Sequence, residues 1–393
     1  MSEVVIGGAV RTAIGRFSGT LSSLKATQLG ATVVKELVNR TGVDPEVVDE
    51  IIMGNVVGAG LGQNPARQAA IFGGLPDKIP AMTINKVCGS GLRAVSLAAQ
   101  FMKAGDADCV IAGGLESMSN APYMLDKART GYRMGNGNII DLMVHDGLWC
   151  VYNDFHMGIT GELTSEKYVV SREQQDEYAA NSHAKAIAAI EAGKFKDQIV
   201  PIEIPQRKAD PIVFDTDEGP RKGTSAEKLA KLKPAFKKDG TVTAGNAPGV
   251  NDGAAAVLVL TDDKAKELGI TPICKIRGYA VSGLEPKWVM MAPVPAINMV
   301  LEKTGLRKDD IDAYEINEAF SVQAIACCNE LGLDFNKVNK YGGAVALGHP
   351  IGATGAIILT KLINILKDEG KSLGCAALCL GGGNAVSMII EML

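Results

Sequence analysis

The sequence predicts an α/β protein made of two duplicated halves, with central mixed sheets, covering helices and an inserted lid between the halves. Three observations carry this expectation. TGVDPEVVDEIIMGN (41–55) has a partner in TGLRKDDIDAYEINE (304–318). Both open on Thr-Gly, place an Asp eight residues on (Asp49, Asp312), and pass from a helical to a strand-like pattern before polar Asn55 and Glu318. The register then continues. Gly54 precedes Cys88 by 34 residues and Asn317 precedes His349 by 32, and each of Cys88 and His349 opens a glycine-rich approach to a helix. Each half next presents an apolar run leading into glycines, DCVIAGGLES at 108–117 and GCAALCLGGGNA at 374–385. Matches recurring in one order argue for a duplicated unit. Strand-like runs mixed with helical stretches in each copy argue for α/β.

Taken in order, MSEVVIGGAVRTAIG reads as a first strand and a loop, without the basic flank and long apolar core of a secretory signal. In INKVCGSGLRAVSLAAQ (84–100) and Phe101, apolar residues recur at helical spacing from Leu92 through Val95, Leu97, Ala98 and Ala99. The glycines before them suit a tight turn into the helix. A helix is expected from Ser171, where Ser171 and Gln174 form a capping box and Gly193 supplies the stop. Charged, irregular sequence such as ADPIVFDTDEGPRKGTSAEKLAKLKPAFKKDG marks 118–245 as the inserted lid or loop domain. GAAAVLVL (253–260) reads as a buried strand returning to the first half. The halves are therefore 1–117 with 246–268, and 269–393. A pseudo-twofold between them would bring Cys88, His349, Asn317 and Cys379 together.

Composition narrows the function. The 393 residues are 47% hydrophobic and 21% charged, as in a well-buried globular enzyme. A net charge of −4 leaves no basic footprint, and 5% aromatics provide no base-stacking surface, so nucleic acid is not expected as a partner. No apolar run reaches the roughly 18 residues of a membrane span, so the expected location is the cytoplasm. Eight scattered cysteines, without a signal peptide or a CxxC pair, read as free thiols in a reducing compartment, with no metal site. GLGQNPARQ (60–68) and LGGGN (380–384) form neither a dinucleotide fingerprint nor a Walker loop, so no nicotinamide or ATP site is expected.

Cys88 lies at a helix N-terminus, where free N–H groups and the dipole can lower a thiol pKa from about 8.5 toward neutrality. It would then alkylate readily near neutral pH. A small buried hydrophobe is the plainer reading of a cysteine. A cysteine nucleophile needs a base, and His349 in GHPIGATG can serve; otherwise it is a solvated turn histidine. Asn317 in INEAF is either a polar site group or a helix cap. Cys379 precedes Gly381-Gly382-Gly383, where backbone N–H groups can approach an oxyanion, although alone it reads as a core thiol. Two thiols, an imidazole and a carboxamide suit thioester chemistry: one thiol accepts an acyl group and the other removes a proton α to a thioester.

These residues sit in blocks that resemble the thiolase family, in its biosynthetic, acetoacetyl-CoA-forming branch. NKVCGSGLRAVSLA, QNPARQAA, AGGLESMS, GYRMG, FHMGIT, KLKPAFKKDGTVTAGNA, NEAF, GGAVALGHPIGATGA and CLGGG follow one another across essentially the whole chain. The resemblance implies that Cys88 is the acylated nucleophile, that His349 accepts its proton, and that Cys379 deprotonates the acetyl-CoA methyl. It implies one oxyanion hole from His349 and a water held by Asn317, and another from the backbone N–H groups of Cys88 and Gly381. The implied reaction is a ping-pong condensation of two acetyl-CoA to acetoacetyl-CoA and CoA, with thiolysis as its reverse. No bound cofactor or metal is implied.

Arg221 matches a cation packed beside the adenine of CoA. Leu148, His156, Met157, Phe236, Ala244, Ala319 and Phe320 match the pantetheine and acyl tunnel. Four departures stand out: Pro248 in place of a serine near the pantetheine, Met291-Ala292 in place of a Gly-x-Gly-Pro turn by the acyl pocket, Tyr341 in place of an asparagine, and Asn384-Ala385 after the triple glycine. Bulk at Met291-Ala292 is expected to narrow or reshape the acyl pocket. The resemblance further implies a homodimer or a homotetramer built as a dimer of dimers, with 130–137 as the tetramerisation loop. A degradative thiolase for longer or branched 3-ketoacyl-CoA, and a catalytically weak partner subunit of an acyl-CoA complex, remain as alternatives.

Overall fold

The structure is a computed structural model that describes residues 3–207 and 209–393; Met1 and Ser2 of the first expected strand lie outside the described residues. The first half contributes β1 (Val4–Thr12), β2 (Glu50–Gly54), β3 (Ala81–Ile84), β4 (Cys109–Ser117) and, after the short β5 (Ile199–Val200) of the insert, β6 (Asn251–Thr261). The second half contributes β7 (Cys274–Gly283), β8 (Ala313–Ile316), β9 (Leu373–Leu380) and β10 (Asn384–Met392).

Strand order runs β3-β2-β4-β6-β1 in the first half and β8-β9-β10-β7 in the second. From β2 the neighbours pair parallel, antiparallel, antiparallel. From β8 they do the same. The counterpart of β3 survives only as a parallel bridge between Tyr314 and Val338. The half-sheets meet edge to edge through β1 and β7 at Val5–Lys275 and Ile6–Cys274 alone. The repeat read in the sequence is thus a repeat of sheet topology.

Among the described residues, the helices of eight residues or more are α1 (Ala26–Thr41), α2 (Pro65–Phe72), α3 (Ser90–Ala104), α4 (Met157–Tyr168) and α5 (Arg172–Glu191) of the insert, α6 (Pro293–Thr304), α7 (Ser321–Leu331) and α8 (Thr354–Glu369). α3 and α8 are the matching helices, and they lie between the two half-sheets. Leu92, Val95 and Ala98 join Ile358, Leu362 and Ile365 in a core with Val110 and Val257 of one half and Leu378 and Met388 of the other. Burying each of the larger aliphatic side chains is worth roughly 1.5–3 kcal/mol. α1 covers the outer face of the first half-sheet through Leu29, Val33 and Leu37. α6 covers that of the second through Ile297, Val300 and Leu301.

α3 and α8 touch at glycines. A Cβ on Gly355 would lie 2.3 Å from the Leu92 nitrogen, and one on Gly91 would lie 2.8 Å from the Ala356 nitrogen. This close approach brings the starts of both helices, and the loops that carry Cys88 and His349, to one place.

α5 begins at Ser171, whose side chain accepts from Gln174 N–H in a capping box, and Gly193 beyond its end has φ +70°. The segment 118–245 is more than a flap, however. Its β5 pairs parallel with β1 at Arg11 and Thr12, and Phe195, Ile199, Ile202 and Phe214 enter the first-half core. The Arg11 guanidinium donates to both oxygens of fully buried Asp217, at 2.7 and 2.9 Å. Local charge and irregularity could not reveal these long-range partners. Among the described residues, no helix is long and apolar enough to cross a membrane.

Candidate functional site

The loop between β3 and α3 shows why glycine flanks Cys88. Val87 adopts φ +46°, a left-handed conformation unusual for a β-branched residue. Ser90 Oγ holds the turn by donating to the Val87 carbonyl at 2.7 Å and accepting from Lys86 N–H at 2.8 Å. Gly89 presses on the end of β9, where a Cβ would fall 2.0 Å from Leu380 Cδ2. Cys88 thereby faces a cavity of about 240 Å³, shared with His349, Cys379 and Gly381.

Burial pushes the Cys88 thiol up to about 12, although the backbone N–H groups of Gly381 and of Cys88 itself pull it down; the Glu116 carboxylate adds to the rise. This corrects the expectation of a thiol lowered toward neutrality. The helix N-terminus and its donors are present, but removal from water outweighs them. Burial likewise pushes Cys379 well above the ordinary thiol range, with the neighbouring Cys88 as a smaller contribution.

His349 follows the short helical turn 344–347, with its backbone N–H fixed by Asn251 Oδ1 at 2.9 Å. Burial pushes its imidazole down to about 4, so the ring is neutral. Nδ1 lies 2.7 Å from Thr354 Oγ1, and that hydroxyl lies 2.8 Å from the Pro350 carbonyl. Nε2 is buried without a partner. If the ring proton sat on Nε2, an N–H would be stranded. With the proton on Nδ1, the imidazole donates to Thr354, the hydroxyl donates to Pro350, and only a lone pair is left at Nε2. The hydrogen-bond network therefore assigns the tautomer in which Nε2 is a base.

Asn317 directly follows β8, and its backbone N–H donates to the Ala377 carbonyl at 2.9 Å. Its carboxamide is buried with neither end partnered. It does not cap α7, which starts at Ser321 after Phe320. The next residue, Glu318, locks the strand end by accepting from Tyr178 (3.0 Å), Ser182 (2.9 Å), Asn339 (3.1 Å) and Val345 N–H (3.0 Å). An unpaired buried amide costs about 1–3 kcal/mol, which suits a group that meets a polar partner during the reaction.

Leu148, His156, Met157, Phe236, Pro248, Ala319 and Phe320 all line the Cys88 cavity. His156 Nδ1 accepts from Gly158 N–H at 3.0 Å, which leaves the ring proton on Nε2. Its ring stacks on Phe236 (centroids 4.6 Å apart, planes at 17°), and Phe236 meets Phe320 edge-on at 6.2 Å. Arg221 and Ala244 lie instead in a second cavity of about 220 Å³, which adjoins the first along Ala247, Gly249 and Val250. There Arg221 N–H donates to His183 Nδ1 at 3.2 Å.

Met291, expected to narrow or reshape the pocket, does not line the cavity. It is 3% exposed and packs in a cluster with Cys327 and Cys379, while Val289 and Met290 supply the wall. The short 3₁₀ helix Pro286–Met291 turns adjacent side chains in different directions, an orientation that sequence spacing could not settle. Ala292 packs against Ala296 and Ala385. Asn384 Oδ1 accepts from Lys86 Nζ at 3.3 Å. Tyr341 is remote from the cavity, with its hydroxyl donating to Asp368 at 3.0 Å and its ring edge-on to Phe195.

The sequence reading missed Asn251, Thr354 and Glu116, which support the site through the hydrogen bonds of its loops. The one available signal was an acidic residue, Glu116, closing an otherwise apolar strand. Among the described residues, no His/Cys/Asp/Glu cluster could hold a metal ion.

Two family models match this chain. The thiolase N-terminal domain covers residues 4–263 and the thiolase C-terminal domain covers 270–392. Acetyl-CoA acetyltransferase of Cupriavidus necator is 54% identical over 391 residues, covering 100% of both chains. A probable acetyl-CoA acyltransferase of Staphylococcus aureus is 50% identical, covering 100% of this chain and 99% of its own. The crystal structure of Bacillus anthracis acetyl-CoA acetyltransferase matches with a TM-score of 0.98 at 46% identity, over 100% of this chain and 99% of that one.

Proposed function

The chain belongs to the thiolase family, and on that premise we propose that it condenses two acetyl-CoA to acetoacetyl-CoA and CoA through an acetyl-cysteine. The observation that carries the residue assignment is one cavity lined by Cys88, His349 and Cys379, with the basic Nε2 lone pair unpartnered.

In the first half-reaction Cys88 Sγ attacks the thioester carbonyl while its proton passes to His349 Nε2. A neutral thiol beside a neutral imidazole supports proton transfer during attack rather than a standing ion pair. The backbone N–H groups of Cys88 and Gly381 are the donors for the tetrahedral oxyanion, a contribution of about 3–4 kcal/mol for one such donor. The C–S bond to CoA then breaks, and the departing CoA takes the proton from His349.

In the second half-reaction Cys379 passes its thiol proton to His349 Nε2 as it takes a methyl proton from another acetyl-CoA, which leaves a protonated imidazole to face the enolate. The enolate oxygen is held by His349 and by a water on Asn317, whose unpaired carboxamide supports that role. The enolate carbon attacks acetyl-Cys88, a carbon–carbon bond forms, the Cys88 thioester breaks, and the departing Cys88 sulfur takes the proton from His349. Pantetheine runs along His156, Met157, Phe236 and Phe320. The nucleotide occupies the outer cavity beside Arg221. CoA and acyl-CoA are substrates, and no resident cofactor is required.

A division into 1–117 with 246–268, an inserted 118–245, and 269–393 fits the duplicated topology. A cytoplasmic homotetramer, or a homodimer, fits the exposed apolar side chains Tyr123, Leu125, Tyr132, Met134 and Ile139 around the 130–137 loop. The test is thiolysis of acetoacetyl-CoA by CoA, followed as loss of enolate absorbance, beside a panel of longer 3-ketoacyl-CoA. Far faster cleavage of 3-ketohexanoyl-CoA would favour the degradative alternative. Folded protein without turnover would favour the partner-subunit alternative.

A further inference from the structure

Glu116, the penultimate residue of β4, is fully buried and takes no part in the steps above. Its oxygens accept four hydrogen bonds. Oε1 receives Asn55 Nδ2 (2.8 Å) and Val57 N–H (3.2 Å). Oε2 receives Val56 N–H (3.0 Å) and Gly352 N–H (2.9 Å). All four neighbours are donors, so the ionised carboxylate is the form that fits; burial pushes the group up to about 7 against the pull of these donors, so the charge is in place above that pH.

These donors belong to different halves of the molecule. Asn55, Val56 and Val57 follow β2, whereas Gly352 lies three residues beyond His349. Val56, Val57 and Ile351 pack together, with Val87 and Cys88 against them. The approach is close: a Cβ on Gly352 would lie 2.6 Å from Glu116 Oε2, and one on Gly114 would lie 2.1 Å from the Gly352 carbonyl.

We propose that Glu116 is a positioning residue for acyl transfer, its carboxylate clamping the His349 loop of one half against the 55–57 loop of the other, on which Val87 and Cys88 pack. The proposal rests on the roles given above to Cys88 and His349. It carries an electrostatic signature, because the Glu116 charge opposes ionisation of Cys88. The other charged or titratable groups facing this pair are Asp252 from β6, held by Ser119 N–H and Oγ, together with His349 and Cys379.

The test compares wild type, Glu116→Gln and Glu116→Asp. Three readouts are taken: acetylation of Cys88 by acetyl-CoA, the thiolysis constants, and the pH profile of iodoacetamide alkylation. Glu116→Gln turns an NH₂ toward two of the four donors and removes the charge. Acetylation and kcat should fall together by about 10- to 100-fold while KM changes little, as for misplaced reacting groups. The alkylation midpoint should move to lower pH. Glu116→Asp keeps the charge, so its midpoint should stay at the wild-type value and part of the rate should return.

Wild-type turnover in folded Glu116→Gln, or an unmoved midpoint beside a reduced rate, overturns the clamp. Should Glu116→Gln fail to fold, Asn55→Ala deletes one donor and should lower kcat about threefold at near-constant KM; unchanged kcat overturns the clamp. Wild-type protein that never acetylates Cys88 overturns the site assignment and the clamp with it. Wild-type acetylation with an unaffected Gln variant overturns the clamp alone.

Discussion

Thr354→Val tests the tautomer on which the chemistry of His349 depends. The substitution nearly preserves shape and deletes the acceptor 2.7 Å from Nδ1. With the proton still on Nδ1, a buried N–H is stranded at a cost of about 1–3 kcal/mol. A thioester oxygen entering the cavity gives a proton on Nε2 an acceptor, so in the substrate complex the imidazole escapes that cost by moving its proton there. There it becomes a donor and can no longer take the Cys88 proton. The same 1–3 kcal/mol therefore sets the fraction of His349 in the working form, a loss of about 5- to 150-fold in acyl transfer. KM should change far less, because Thr354 lies behind the ring rather than in the cavity wall. Stopped-flow acetylation of Cys88 by acetyl-CoA reads the step directly, and Thr354→Ser, which keeps Oγ, should restore most of the rate. Folded Thr354→Val that acetylates within twofold of wild type would refute the assignment. A serine variant as slow as the valine would do the same.

Replacing Cys379 by Ser should leave acetylation of Cys88 nearly intact and suppress carbon–carbon bond formation, read as a retained acetyl burst without acetoacetyl-CoA. Because burial holds the Cys88 thiol near 12, the thiolate fraction grows with every step of pH below that value. Iodoacetamide inactivation of the unliganded enzyme should accordingly keep climbing above pH 9, and a plateau near neutrality would contradict this. Gly355→Ala would drive a methyl against the Leu92 nitrogen at the α3–α8 contact, so calorimetry should show destabilisation by about 1–3 kcal/mol or more.

Much of the site was legible because duplication leaves a linear trace. Cys88 and His349 stand at matched offsets from the repeat, and each opens a glycine-rich loop into one of the paired central helices. The glycines beside Cys88 and in α8 stand where a side chain would collide, with the Leu380 side chain at Gly89 and with the Leu92 backbone at Gly355. The insert was harder to read. Its charge pattern resembled a solvated lid, but Asp217 belongs to a buried ion pair with Arg11, which is 206 residues away in the chain. Met291 was misassigned because adjacent residues on a 3₁₀ turn diverge, and the turn's orientation depends on its packing against α4 and α7.

Residue order alone determined the α/β class and the doubling, and singled out four side chains proposed for the chemistry, since periodicity, glycine placement, spacing and family-like blocks are all carried by the linear sequence. Folding alone decided the protonation states. The same Cys88 at the same helix start would be acidic in water and is held neutral here, because what surrounds the sulfur comes from segments hundreds of residues apart. Desolvation depends on that three-dimensional environment, and so do the base at Nε2 and the clamp at Glu116.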